Sequence, residues 1–186
     1  MGKKKRIPLL TRSAYHEAGH AVMCYLLRRR FSYVTIEGQK TDEINVTGSC
    51  KTEPFHAHFG DHLKKRRVFE RAILTKGGGS AAEVVLTGQG KGRGIFSDGD
   101  LDQSIMLANF IARGFGEEAA AYVHWLWLRA RNMLREPHAW VLVDALAKAL
   151  LKEKYLGYRK ARRIMDEAGK RYCEEIDREI KERDKR

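Results

Sequence analysis

Two histidines four residues apart constrain this chain more than any other feature. Residues 15–22 read Tyr-His-Glu-Ala-Gly-His-Ala-Val, and small or apolar residues recur around them at helical spacing. The pattern predicts a packed α-helix over residues 13–29, with Ser13 as its N-cap and three arginines near its C-terminal end. Gly19 costs about 1 kcal/mol inside a helix relative to alanine, which indicates that another element packs closely there.

The same spacing of the two histidines also indicates a metal-binding site. On a helix, His16 and His20 lie one turn apart on the same face, where both imidazoles can bind a single Zn²⁺ ion. Glu17 follows the first histidine and can reach a water molecule on the metal as a general base. The alternative is an ordinary polar helix face, because His-Glu-x-x-His also occurs in proteins that bind no metal.

Size and charge set broad limits on the molecule. With 186 residues and 43% hydrophobic residues, the chain can form one domain with a true core, or one domain with a helical extension. A net charge of +12 favours acidic partners, nucleic acid or anionic membrane surfaces, or only contributes solubility. Residues 1–10 are predicted to be a basic N-terminal arm.

Cysteine usage and hydropathy bear on the cellular location. The three cysteines are widely spaced and odd in number, so they predict neither a disulfide framework nor a metal cluster. This usage favours a reducing compartment, and we expect a cytoplasmic protein. No stretch approaches the roughly 18–20 apolar residues of a spanning helix, so no integral membrane segment is expected.

The remaining pattern predicts a mainly α fold with a small two-stranded β element. The strands are expected at residues 31–37 and 44–50, joined by a polar turn at 38–42. Such a strand beside a protease site could pair with an extended peptide, or it could be purely structural. Helices are expected over six further ranges: 63–74, 80–86, 97–112 with an acidic first turn, 117–134, 140–151 and 159 to the end. Between them we expect an interruption at glycines 77–79, a Gly-rich connector or lid at 88–94 and a turn at 155–158.

Zinc peptidases need a third protein ligand, and the spacing alone leaves it open. Glu83 is one candidate, on the helix after the glycines. Asp98, Asp100 and Asp102 are others, at the start of a later helix. A separate group of histidines at positions 56, 58 and 62 lacks a carboxylate at suitable spacing, so surface positions are expected for them.

Several segments together resemble the FtsH-type, AAA-linked zinc metalloproteases. The His-Glu-Ala-Gly-His-Ala segment at residues 16–21 looks like the core motif of that family. The similarity covers about residues 11–168 in the family's order. It includes four further segments: Gly-Gly-Ser-Ala-Ala-Glu at 78–83, Ser-Asp-Gly-Asp-Leu at 97–101, Gly-Phe-Gly at 114–116 and the leucine-rich helix at 146–153.

The resemblance implies a fold and an activity. It implies an HExxH zinc-peptidase helical domain that hydrolyses peptide bonds of unfolded or partly unfolded proteins. It assigns the third zinc ligand to Asp100 and leaves Glu83 as a nearby buried carboxylate that supports a histidine. With His16, His20 and Glu17, these residues would form a zinc metalloendopeptidase site.

The chain also departs from the family pattern. Ser80, Val84 and Gly99 replace the family's Arg, Glu and Asn. The family's ATPase domain and membrane span are not found in this sequence, so either a separate ATPase partner would unfold the substrate or the substrate would arrive already unfolded. Because family members form rings, a homo-oligomer is a further expectation. We expect the chain to be divided into a basic arm at 1–10, a peptidase domain at 11–168 and a charged helical extension at 169–186.

A different class of function competes with the peptidase. A basic helical domain with +12 net charge could be a catalytically silent or regulatory binding or adaptor domain. Nucleic acid is not the expected partner, since no nucleic-acid-binding motif is present and acids are mixed with the basic residues along the helices.

Overall fold

The computed structural model describes residues 7–40, 45–46, 48–52, 62–88 and 98–185. Over these residues the chain is mainly helical, which confirms the predicted class. The described elements, in chain order, are α1 Leu9–Leu26, β1 Phe31–Thr35, β2 Gln39–Lys40, β3 Asn45–Val46, β4 Ser49–Thr52, α2 His62–Thr87, α3 Asp98–Ile111, α4 Gly116–Arg135, α5 Pro137–Glu153, β5 Tyr155–Gly157 and α6 Tyr158–Arg183.

The centre of the molecule is the contact between α1 and α2. Gly19 of α1 faces Gly78 of α2 so closely that a Cβ on Gly19 would lie 2.3 Å from the Gly78 carbonyl oxygen. A Cβ on Gly78 would in turn lie 2.7 Å from the carbonyl oxygen of Gly19. The two glycines therefore allow backbone-to-backbone packing, as the cost of a mid-helix glycine indicated.

The bounds of α1 differ from the prediction at both ends. The helix begins at Leu9 after Pro8, so Ser13 is not its N-cap but a buried residue inside it. Leu9 and Leu10 are 66% and 45% exposed. Because these leucines do not face the core, the apolar periodicity of the sequence does not reveal the first turn of the helix. The helix ends at Leu26, before the predicted residue 29, and Arg28 has a φ of 52° that no continuing helix could contain.

The predicted interruption at glycines 77–79 is wrong. All three lie inside α2, which runs unbroken from His62 to Thr87. Glycine weakens a helix by about 1 kcal/mol per residue, but unlike proline it keeps its backbone hydrogen-bond donor. Two of these glycines instead serve contacts: Gly78 with α1, and Gly79 with the histidine side chains described below.

The sheet is larger than the predicted two-stranded element. Three antiparallel strands lie in the order β4-β1-β5, with Val34 opposite both Cys50 and Leu156. The segment predicted to turn at 155–158 supplies β5. The Lys154 carbonyl fixes its start by accepting hydrogen bonds from the Ile36 N–H and the Thr35 hydroxyl, at 2.8 and 2.9 Å. In a separate pair, β2 lies where the polar turn was expected, and β3 lies within the predicted second strand.

The later helices close the core around α1. Helices α2 and α5 contact α1, and α4 and α6 contact α2 and α5 respectively. Pro137 ends the preceding run as predicted, since it begins α5. Helix α6 passes residue 168 without a break, and its later part is largely exposed. The fully buried side chains of α4, α5 and α6 include Leu126, Leu134, Leu142, Leu146, Leu150 and Met165.

Across the part of the chain that the structure describes, no helix combines the length and the apolar character needed to cross a membrane.

Candidate metal centre

Three potential ligand side chains converge beside α1. His16 and His20 come from α1, and Asp100 comes from the first turn of α3. One nitrogen or oxygen from each residue lies within 4.8 Å of the others. The two Nε2 atoms are 3.0 Å apart, and the Asp100 Oδ2 lies 3.5 Å from Nε2 of His20. The group is partly buried, and it could hold a metal ion.

The outer ring nitrogen of each histidine has a partner that fixes its proton. Nδ1 of His20 lies 2.8 Å from the Thr75 carbonyl oxygen, which can only accept a hydrogen bond. Nδ1 of His16 lies 2.8 Å from Oε1 of Glu83. Each Nδ1 therefore donates, and in the neutral rings each Nε2 carries the lone pair. Such partners are typical of histidines that bind metals.

Glu83 is ionised because two cationic or donor groups contact it. Burial raises the Glu83 pKa, but hydrogen bonds from His16 and Arg12 outweigh burial and hold the pKa below its usual value. The Arg12 guanidinium contacts Oε2 of Glu83, the oxygen that His16 does not use. Arg12, Glu83 and His16 thus form a chain of charge-assisted hydrogen bonds that orients the His16 ring.

A cation would satisfy the electrostatics of this arrangement. Burial and the neighbouring His16 lower the pKa of His20, which favours its neutral form. Two lone pairs 3.0 Å apart, next to a carboxylate, repel one another unless a positive charge lies between them. Metal–nitrogen bonds of about 2.0–2.1 Å in a tetrahedron would separate the ligand atoms by roughly 3.3 Å. The observed spacing is compatible with a bound metal ion.

Gly79 makes room for the two imidazoles. A Cβ on this residue would lie 2.5 Å from Nε2 of both His16 and His20. Those contacts are with the metal-facing atoms themselves, so the rings could not keep their positions. The backbone of α2 therefore forms one wall of the site, which explains why a glycine occupies this helical position.

Substitution of Gly79 by alanine is expected to disrupt the metal site. Alanine is normally better than glycine in a helix, by about 1 kcal/mol, yet here its methyl group would displace both histidines. We expect metal affinity to fall by at least about 100-fold, more than the loss of one orienting partner produces. Gly116→Ala is the matched control, since no atom lies within 4 Å of a Cβ there. Equal metal affinity in the two variants, measured by titration, would contradict this role for Gly79.

Glu17 lies behind the ligand group and is almost fully buried. Its side chain contacts the backbone of the β4 region, where a Cβ on Gly48 would come within 2.8 Å of the Glu17 Cγ. Burial raises the Glu17 pKa to about 7, with His20 and the backbone N–H of Cys50 opposing the rise and Asp100 and Glu83 adding to it. A carboxyl group with a pKa near neutrality is suited to accept and return protons.

The raised Glu17 pKa predicts a pH-dependent stability difference in metal-free protein. The folded pKa lies above the unfolded value of 4.5, so the favourable contribution is complete below pH 4.5 and is lost as the pH rises through about 7. A Glu17→Gln variant lacks this titration. Relative to wild type, it should gain on the order of 3 kcal/mol between pH 4.5 and pH 8. Urea unfolding in a chelator measures the difference, and a constant difference across this range would contradict the prediction.

Two of the other candidates for the third ligand, Glu83 and Asp102, fall outside the group, and the third, Asp98, is not tested. Glu83 contacts His16 at Nδ1, on the side of the ring away from the ligand nitrogens. Asp102 is exposed on α3, and the side chain of Asp98 lies outside the described residues. Of the separate histidines, 56 and 58 lie outside the described residues, as does the side chain of His62 at the start of α2. Their predicted surface positions are therefore not tested.

Sequence reasoning missed several residues that build the site. Arg12 could have been found, because it lies four residues before His16 and shares its helix face. Thr75, Lys76 and Gly79 left no readable signal, since they approach the site only through the packing of α2 on α1. Lys76 places its Nζ 3.5 Å from Oδ1 of Asp100, the oxygen that does not face His20.

Comparison with models of known protein families gives no match, and comparison with curated proteins gives none either. The family resemblance of the motif segments therefore stays a prediction.

Proposed function

We propose that this chain is a zinc metalloendopeptidase that hydrolyses peptide bonds of unfolded or partly unfolded polypeptides. The observation that carries the proposal is the convergence of His16, His20 and Asp100, with Glu17 buried directly beside them. A purely structural metal site would not need a buried carboxylate of raised pKa that is not one of the ligands.

Zinc is the ion that the donor set fits best. Two neutral imidazoles and one carboxylate are a common protein ligand set for catalytic zinc, which leaves a position open for water or substrate. Magnesium and calcium favour oxygen donors, and structural zinc sites usually use four protein ligands that include cysteines. The hydrogen-bonded partners of both histidines, Thr75 and Glu83, hold the rings in the tautomer that such binding needs.

The proposed reaction assigns each residue a task. A zinc ion held by His16, His20 and Asp100 would supply a Lewis acid that polarises a carbonyl group and lowers the pKa of water to about 7. Glu17 accepts a proton from the attacking water and returns it to the leaving amine. The Cys50 N–H holds the Glu17 carboxylate, and the packed Gly48 backbone keeps bulk water from that side.

The sheet offers a place for an extended substrate. Strand β4 is at the edge of the three-stranded sheet as the described strands form it, with β1 on its other side. It lies next to Glu17 through Gly48 and Cys50. An extended polypeptide could add to this edge by main-chain hydrogen bonds, which requires that the substrate segment be unfolded.

Partners and location belong to the same proposal. A separate ATPase would deliver unfolded substrate. A homo-oligomeric ring would match the FtsH-type family that the sequence resembles. A cytoplasmic location would keep the three free cysteines reduced.

Metal-dependent proteolysis is the direct test. We expect the purified chain with one equivalent of zinc to cleave casein, to lose activity in a chelator and to regain it when zinc is restored. Magnesium should not restore it. A chain that takes up no divalent ion, or that cleaves equally well without one, would contradict the proposal.

A further inference from the structure

One face of α2 reaches all three potential ligands. Lys76, Gly79 and Glu83 are spaced three and four residues apart on this helix, so they lie on the same face. Gly79 lies against the Nε2 atoms of both histidines, and Glu83 contacts Nδ1 of His16 at 2.8 Å. Lys76 reaches the third potential ligand, because its Nζ lies 3.5 Å from Oδ1 of Asp100. Asp100 therefore has an orienting neighbour on α2, as the two histidines have.

The two carboxylate oxygens of Asp100 have different neighbours. Oδ2 lies 3.5 Å from Nε2 of His20, whereas Oδ1 lies 3.5 Å from the Lys76 ammonium group. The Lys76 and Asp100 side chains are only 24% and 20% exposed, so salt screens this ion pair less than it screens a pair on the open surface. A carboxylate can bind a metal ion through one oxygen or through both. The ammonium group lies beside one oxygen and leaves the other to the ligand group.

A lysine beside a cation site weakens that site unless it has a compensating role. Like charges repel, so the Lys76 ammonium opposes the binding of any cation next to Asp100. Its contact with Oδ1, however, fixes which oxygen of Asp100 faces the histidines. Two imidazoles and one oxygen make three protein ligands, the number at which catalytic zinc keeps one position for water. A second oxygen from the same carboxylate would fill that position.

We propose that Lys76 is a positioning residue that reserves Oδ1 of Asp100, so that the carboxylate offers a metal ion only Oδ2 and one coordination position stays open. This role rests on the proposed metal site, and its consequence for cleavage rests on the proposed peptidase activity.

The preference between two metal ions is the first readout. Lys76→Met keeps a long, unbranched side chain and removes the cation that competes for Oδ1. Manganese favours carboxylate oxygens and six ligands, so Mn²⁺ should gain more from a second oxygen than Zn²⁺ does. Removal of a positive charge strengthens the binding of all divalent ions alike, and the ratio of their dissociation constants cancels this effect. We expect the Mn²⁺/Zn²⁺ ratio of dissociation constants to fall by at least about tenfold, the scale of one contact to a charged group.

Two matched variants separate this role from a general effect of the substitution. Lys76→Arg keeps a cation that can pair with Oδ1, and it should keep the wild-type ratio. Lys160→Met makes the same chemical change at an exposed lysine that pairs with Glu153, outside the ligand group, and it should keep the ratio too. If Lys76→Met does not fold, Lys76→Gln also removes the charge and should shift the ratio in the same direction.

Cobalt in place of zinc reports the number of ligands. The visible d–d bands of Co²⁺ weaken as the number of ligands rises above four, so they should be weaker in Lys76→Met than in wild type and unchanged in Lys76→Arg. Turnover is the third readout. With zinc bound at full occupancy, kcat for casein should fall by at least about tenfold in Lys76→Met, because the second carboxylate oxygen then competes for the position that water needs.

The possible failures are distinguishable. An unchanged metal preference or unchanged cobalt bands in folded Lys76→Met would overturn the proposal, and slower cleavage with both unchanged would assign Lys76 to the substrate instead of Asp100. If preference and bands shift in a chain that never cleaves casein, the role of Lys76 stands and the peptidase proposal fails. If they shift in a zinc-dependent peptidase that keeps its rate, the consequence for cleavage is overturned. A wild-type chain that binds no divalent ion would overturn both proposals.

Discussion

Glu17→Gln is expected to reduce cleavage of casein by at least about 100-fold, the lower part of the range for loss of a general base. Glutamine has the same shape and can still accept the Cys50 N–H through its amide oxygen, so the packing against Gly48 is preserved. It cannot take a proton from water. The histidines keep their partners, Thr75 and Glu83, and zinc binding should remain within about threefold of wild type, since no ligand is changed.

The measurement combines turnover with metal content on the same sample. Glu118→Gln is the matched control. It makes the same chemical change at an exposed residue in the first turn of α4, outside the ligand group. Its activity should equal that of wild type. If Glu17→Gln keeps its zinc and still turns over casein at an unchanged rate, Glu17 is not the base and the proposed mechanism fails.

The local part of this site could be predicted from the sequence. His16, Glu17 and His20 lie within two helical turns, and helical geometry alone brings the imidazoles to one face. The mainly helical class followed from periodicity in the same way, and most of the later helices were placed within a few residues of their observed bounds.

The non-local part could not be predicted, because it depends on packing. Gly77–79 predicts a break when read alone, yet α2 continues through it since two of these glycines meet α1 and its histidines. The short segment 155–157 has no strand signal of its own and becomes β5 by pairing with β1. Asp100 was one of four carboxylates that spacing left open, and only the family resemblance selected it before the structure placed it at the ligand group.

Asp100→Ala is expected to lower zinc affinity by at least about 100-fold, beyond the 10–100-fold typical of a residue that only orients a ligand. Two effects add in this variant. The site loses its charged ligand atom, which lies 3.5 Å from Nε2 of His20. The Lys76 ammonium, now 3.5 Å from the other Asp100 oxygen, would remain beside the histidines without that carboxylate and would repel a cation.

Two further variants distinguish Asp100 from the other candidate ligands. Asp98→Ala changes the same residue type at the start of α3 and should largely keep zinc, because the family resemblance selects Asp100 as the third ligand. Glu83→Gln should give an intermediate loss of roughly 10–100-fold, since it weakens the partner of His16 but removes no ligand. Competition titration with a zinc indicator ranks the three affinities. If Asp98→Ala loses more zinc than Asp100→Ala, or if Glu83→Gln loses the most, the third ligand must be reassigned to that residue, because each substitution removes a single candidate from an otherwise intact histidine pair.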